Sequence, residues 1–251
     1  PRVQATESPS TIALGGSQGR GDATARGGVY VMREAAKKVK LDTAKATYAI
    51  QGCGNAGWFA AQIINDEVGG NVVAIGEIDG AVYNPKGLDV HKFHDHFLKT
   101  RSVKGFKGAE YLPKSADVLE LKVDVLVPAA LENQITKKNA AKIQAKMLLE
   151  LANGPTTPEA DVILADKGVM VLPDFLANAG GVTVSYFEMV QNAYGYYWEP
   201  DLVRKRLDSK MTAAFEAVYD MSKKHKVHNR LGAYLVSVHR VAEAMQLRGW
   251  V

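Results

Sequence analysis

Gly52, Gly54 and Gly57 form a G-x-G-x-x-G array inside "IQGCGNAGWFAAQII" (50–64). The array follows a predicted strand and opens a helix-like run, the context that gives this spacing chemical meaning. The first glycine permits a tight turn, the second lets backbone approach a pyrophosphate, and the third allows close helix-to-strand packing. The helix N-terminus then presents unpaired N–H groups and a positive dipole end to phosphate oxygens. Glu77 ends the next predicted strand, twenty residues beyond Gly57. A carboxylate there accepts hydrogen bonds from the adenosine ribose hydroxyls of a dinucleotide. Asp79 rivals it for that role. No Lys or Arg occurs between Asp66 and Pro85 to neutralise a 2′-phosphate, so NAD is expected over NADP. Ala56 in the turn and Ile78 beside the acid are assigned to the same cofactor site. Cys53 sits at a helix N-terminus, which lowers a thiol pKa, but a small tolerated side chain between two glycines is the favoured reading.

These residues need a sheet to hold them. Val- and Ile-rich runs alternate with helix-period segments, the pattern of βα units on a mostly parallel sheet. Strands are predicted at 46–52, 71–77, 109–112, 123–130, 147–152 and 169–173, several of them apolar on both faces, as in strands covered by helices on both sides. A helix precedes the first strand, with Ala25, Val29, Met32, Ala36 and Val39 on its apolar face and Asp22 or Thr24 as its cap. After residue 181 helices take over. Leu207, Met211, Ala214 or Phe215, Val218 and Met221 form one apolar face, and Asn229 and Gly232 mark a break before a final helix from residue 233. The expected fold is α/β: a doubly wound, mostly parallel sheet of the modified Rossmann type, with a core over about 40–180 and extra C-terminal helices over about 182–251. No repeat or linker divides the chain.

Five further segments narrow the chemistry: "LGGSQGRGDATARGG" (14–28), "VPAALENQIT" (127–136), "ANGPTTPEAD" (152–161), "LPDFLANAGGVTVSYFEMVQN" (172–192) and "AYLVSVHRVAEAMQLRGW" (233–250). Together and in this order they resemble the coenzyme-binding domain of glutamate dehydrogenases, in the Glu/Leu/Phe/Val dehydrogenase superfamily. The resemblance implies a doubly wound sheet with one strand reversed, facing a substrate domain across a cleft. It places Arg20 and Thr24 at the cleft, with Thr24 on the nicotinamide carboxamide. It places Asn153 and Asn178 on the nicotinamide ribose and amide, Ala129 and Ala130 on the adenosine side, and Asn55 on phosphate. Ser185 matches a position that hydrogen-bonds a substrate carboxylate, and Val182 an apolar contact. Without the resemblance, Asn153, Gly154 and Pro155 are a turn, and Ser185 is a capping or solvated serine.

The resemblance also marks an omission. The family's proton-moving lysines and aspartate belong to the substrate domain, one of them in a Gly-Gly-x-Lys-Gly-like stretch that this sequence does not contain. No catalytic group is assigned to the chain; it is expected to be a coenzyme domain separated from its substrate domain, able to bind cofactor with little turnover. The opening "ATESPSTIA" (5–13) departs from the family's usual linker. The expected reaction is oxidation of L-glutamate with NAD and water to 2-oxoglutarate and ammonium, in a homo-hexamer. A leucine- or phenylalanine-type substrate, or a non-catalytic NAD-binding or assembly module, stays open.

Composition excludes other classes. A net charge of +4 is spread among acids, and the densest basic stretch, "SKKHKVHNR" (222–230), reads as a solvated helix end rather than a nucleic-acid patch. No 18-residue apolar run or signal-peptide pattern appears and the single cysteine rules out an internal disulfide, so a cytoplasmic protein without a membrane partner is expected. His91, His94 and His96 in "HKFHDH" do not share one helix face, so an exposed polar helix is favoured over a metal site. "YGYYWEP" (194–200) is expected to pack as a junction between terminal helices.

Overall fold

Tyr48 and Ile50 point to one face of a sheet and Ala49 to the other, and all three are fully buried. The same alternation separates Val125 and Val127 from Leu126, and Met147 and Leu149 from Leu148. A period-two side-chain pattern with both faces buried requires cover on both sides, and each fully buried Ile, Leu or Val contributes about 1.5–3 kcal/mol. The computed structural model describes Ile12 and residues 15–250. Apart from Ile12, the opening "ATESPSTIA" lies outside the described residues.

The strands are β1 (Thr47–Gln51), β2 (Asn71–Glu77), β3 (Gly80–Tyr83), β4 (Glu110–Leu112), β5 (Val125–Pro128), β6 (Met147–Leu149) and β7 (Met170–Leu172). They form one seven-stranded sheet in the order β4-β3-β2-β1-β5-β6-β7. β1 pairs in parallel with β2 and β5, and β5, β6 and β7 continue in parallel. Only β3 runs against both its neighbours. The expected doubly wound sheet with one reversed strand is therefore present. The chain builds outward from β1 through β2 and returns to the other side at β5, so a crevice opens beyond the carboxyl ends of β1 and β5.

The helices are α1 (Ala23–Val39), α2 (Asn55–Ile63), α3 (Val90–Thr100), α4 (Pro158–Asp166), α5 (Asp174–Ala177), α6 (Gly180–Tyr194), α7 (Pro200–His225) and α8 (Asn229–Leu247). Val29 and Met32 of α1, Val184 and Phe187 of α6 and Leu207, Met211 and Phe215 of α7 cover one face. Ala160 and Leu164 of α4 cover the other, with Val118 and Leu119 from a 3₁₀ turn. No helix among the described residues is long and apolar enough to cross a membrane.

Several expectations need correction. β3 went unpredicted because four residues carry little periodicity, although the "DG" at 79–80 is a hairpin signal. Asp22 occupies the N-cap position of α1 as expected but makes no side-chain cap hydrogen bond, accepting from Arg26 Nε at 2.7 Å instead, and Thr24 lies inside the helix. Val39 is 44% exposed. The break before α8 falls at 226–228, and Gly232 lies inside the helix, where an added Cβ would meet Ser222 Cβ at 2.9 Å and Val218 O at 3.0 Å. Its bare backbone lets α7 and α8 pack closely. Tyr194 and Tyr196 are 83% and 74% exposed, and only Trp198 of that junction packs inward, against Phe187 with Arg206 across its ring.

α1 and α6 approach closely enough to carry a shared site because both use glycine. A Cβ on Gly180 would lie 2.0 Å from Ala23 O, and one on Gly27 would lie 2.7 Å from Gly180 Cα. Gly180→Ala is expected to force these backbones apart and cost about 1–3 kcal/mol. Urea denaturation measures this, and an unchanged midpoint would show that the crossing is loose.

Candidate functional site

The glycine turn links β1 to α2 at the crevice. Gly52 has φ of +99°, and a Cβ there would meet Ala129 O at 2.8 Å. Gly57 would place a Cβ 1.9 Å from Gly52 O. Both glycines are required by backbone approach alone. Gly54 differs, since a Cβ there would meet nothing within 4 Å. It is the N-cap of α2 without a side-chain cap, so the first-turn N–H groups of Asn55, Ala56 and Gly57 open toward the crevice. A bare, outward-facing backbone at a positive helix end fits a pyrophosphate.

The acids separate by their partners. Glu77 Oε1 accepts from the Cys53 backbone N–H, so its carboxylate lies against the glycine turn. Asp79 accepts from Ser102 Oγ and, at 3.2 Å, from the Val103 N–H, which commits it to holding a loop. Glu77 is the carboxylate available to the crevice, and Ile78 beside it is 92% exposed. Cys53 is buried, and burial followed by the nearby Glu77 charge pushes its thiol up to about 12. Burial outweighs the helix end here, and Cys53 is a packing residue.

Residues from distant segments meet along one rim. Asn55 Nδ2 donates to Gly21 O at 3.0 Å, joining the glycine turn to "GRGDAT". The amide thus points at backbone, and what Asn55 offers a phosphate is its own N–H. Arg20 Nε donates to Ser185 Oγ at 2.9 Å, across 165 positions of sequence. A hydroxyl that accepts from a guanidinium turns its own proton elsewhere, leaving it to donate. Gly181 makes room for this group, since a Cβ there would lie 2.5 Å from Thr24 Oγ1 and 3.4 Å from Arg20 Nη1. Val182, 69% exposed, follows on the same helix. Asn178 Nδ2 donates to Asn153 Oδ1 at 2.7 Å. Ala129 and Ala130 leave β5 beside Gly52.

What holds Asn153 was not legible in the sequence. Arg230 of α8 reaches three carboxylates: Glu150 at 2.7 Å, Asp174 at 2.9 Å, and Asp161. Asp174 Oδ2 in turn accepts the Gly154 N–H at 2.8 Å, and Glu150 Oε2 accepts the Asp174 N–H at 2.9 Å. Gly154 O accepts from the Asn133 N–H at 2.8 Å, tying "ANGPTT" to the loop after β5. This cluster fixes the turn that carries Asn153, and only the fold brings residues 150, 161, 174 and 230 together.

The histidines do not converge. His91 pairs with Asp66 at 2.9 Å, His94 stacks on Trp58 at 3.5 Å, and His96 hydrogen-bonds Lys104 O at 3.1 Å.

The profile of the Glutamate/Leucine/Phenylalanine/Valine dehydrogenase family matches residues 15–249. An NAD-specific glutamate dehydrogenase of Staphylococcus aureus is 45% identical over 241 residues, covering 95% of this chain and 57% of that protein. A leucine-bound hetero-hexameric glutamate dehydrogenase from Thermus thermophilus superposes with a TM-score of 0.88 at 34% identity, covering 94% of this chain and 55% of its own. Glutamate dehydrogenase from Peptoniphilus asaccharolyticus gives 0.82 at 38% identity, covering 96% and 56%. The chain thus spans little more than half the length of these relatives.

Glu150 is fully buried, so removing its cation leaves a carboxylate without compensation. Arg230→Met is expected to cost about 3–5 kcal/mol in urea denaturation. Arg230→Met combined with Glu150→Met is expected to recover part of that loss, and additive losses would mean that the two do not act as a pair.

Proposed function

This chain belongs to the glutamate/leucine/phenylalanine/valine dehydrogenase family, and we propose that it forms the NAD-holding half of an NAD-dependent glutamate dehydrogenase. The observation that carries this is the glycine turn with Glu77 laid against it: an open anion seat at the N-terminus of α2, beside a carboxylate suited to ribose hydroxyls.

In this reading the first-turn N–H groups of Asn55, Ala56 and Gly57 bind the pyrophosphate, and Glu77 binds the adenosine ribose. Ala129, Ala130 and Ile78 flank the adenosine. Asn153 and Asn178 orient the nicotinamide ribose and amide, and Thr24 its carboxamide. Bound NAD supplies the hydride acceptor for oxidation at the substrate's α-carbon. Ser185 donates its hydroxyl proton to a substrate carboxylate while Arg20 fixes the oxygen, and Val182 contacts the aliphatic part. Glutamate is favoured over other amino acids by the names of the relatives.

Oxidative deamination also requires groups that take protons from the amine and activate water. The sequence has no Gly-Gly-x-Lys-Gly-like stretch for that task, so we assign those steps to a substrate domain facing the rim. Val182, Tyr186 and Met189 recur at helical spacing beside Ser185 and are 69%, 62% and 49% exposed, an apolar surface for that domain to close upon. Assembly into a hexamer and a cytoplasmic setting complete the reading. Support comes from the hexamer named for the T. thermophilus protein and from the lone buried Cys53.

Gly54→Val separates binding from folding, because its side chain enters open space. Thermal stability is expected to stay within error of the parent. NADH affinity, followed by fluorescence, is expected to fall by roughly ten- to a hundredfold, the worth of about 1.5–3 kcal/mol in charge-assisted hydrogen bonds. Glu77→Ala is expected to weaken NADH similarly, and unchanged affinity in both variants would refute the proposed seat.

A further inference from the structure

A cavity of about 890 Å³ lies at the opposite end of the sheet from the glycine turn, where β6 and β7 begin. The C-termini of α1, α4 and α7 meet there, and each ends in a lysine on the cavity wall: Lys40, Lys167 and Lys226 are the three C-caps. Lys146, Lys223 and His228 extend the wall. The basic stretch "SKKHKVHNR" is thus a helix end, as its sequence suggests, but one that faces cations from three other elements.

A lysine at a helix C-terminus needs no ligand, because about half a negative charge resides there. Three termini offset about one and a half charges against the five lysines on the wall. Asp124 pairs with Lys146 at 2.8 Å. Asp161, the one carboxylate on the wall, is taken by Arg230. Lys167 donates to Ile143 O at 2.7 Å, a neutral partner rather than a carboxylate. Lys223 lies over the Tyr219 ring at 5.2 Å. No carboxylate among the described residues pairs with Lys40, Lys223 or Lys226. More than about two positive charges stay uncompensated around one cavity after the helix ends are counted.

The remaining wall is apolar. Val39, exposed against expectation, faces this space together with Val227 and Tyr219. The cations are ammonium groups, compact point charges of the kind that hold phosphate, and several around one space suit a ligand with more than one negative charge. We propose that this cavity binds a small organic polyphosphate, its phosphates on Lys40, Lys223 and Lys226 and its apolar body against Val39, Val227 and Tyr219. The site is separate from the cofactor seat.

Titration calorimetry of the chain with sodium tripolyphosphate tests the charges, and with uridine triphosphate the apolar wall. With the cofactor seat filled by excess NADH, one-to-one binding is expected. Lys223→Glu with Lys226→Glu, and separately Lys40→Glu from another helix, are expected to weaken tripolyphosphate by about tenfold or more, the scale of one lost charge-assisted contact. Lys137→Glu with Lys205→Glu, an equal charge change on exposed residues outside the cavity, is expected to shift affinity less than about twofold. Gly54→Val is expected to leave it unchanged. Uridine triphosphate is expected to bind more tightly than tripolyphosphate and to lose that advantage in Tyr219→Ala. No binding, equal weakening by the control pair, or loss in Gly54→Val would overturn the proposal; the last would place the anion at the α2 N-terminus instead. No advantage for uridine triphosphate would overturn the apolar part.

Discussion

The structure depends on how closely backbone approaches backbone at the end of β1. Gly52 packs against the Ala129 carbonyl and Gly57 against the Gly52 carbonyl, at separations that leave no space for a Cβ. These contacts seat the start of α2 directly over the sheet, at the point where strand order reverses between β1 and β5. The turn is therefore both the tightest packing in the crevice and the place where a helix end is left open. Gly54 alone among the three glycines is bare for a reason that packing does not supply.

Around this turn the rim is assembled from short side-chain bridges between segments far apart in sequence. Asn55 reaches Gly21, Arg20 reaches Ser185, and Asn178 reaches Asn153. Each bridge is modest, of order 1 kcal/mol, but each holds a polar group at the crevice in one orientation. The Arg230 cluster acts at greater depth. Its buried charges gain little net stability, yet they define where the turn after β6 lies, and with it Asn153. Preorganisation of this kind matters to a cofactor domain, because its contribution to a reaction is placement.

How much of this was legible in the sequence varied with the range of the interactions. The glycine array, Glu77 and the strands on both sides of them rest on local periodicity and spacing, and the fold follows them. β3 was missed because four residues against a turn carry little pattern. The start of α8 was misplaced because Gly232 reads locally as a break, whereas its bare Cα serves a helix crossing with Ser222. Tyr194 and Tyr196 read as packing residues and are exposed, since aromatic composition does not say which way a junction faces. The Arg230 cluster and the lysine cavity each join four separate segments, which no window on the sequence displays. Val39 belongs with them, periodic with the core face of α1 yet turned to the cavity.

The proposed seat for NAD is the glycine turn with Glu77 beside it. Glu77 decides it, because the carboxylate that accepts from ribose hydroxyls repels a 2′-phosphate, and no cation occurs between Asp66 and Pro85 to compensate. Fluorescence titration of the chain with NADH and NADPH in parallel tests this most directly. Saturable NADH binding with NADPH weaker by about tenfold or more is the predicted result, the scale of one repulsive contact at 1.4 kcal/mol. Equal affinities, or no NADH binding, would contradict it.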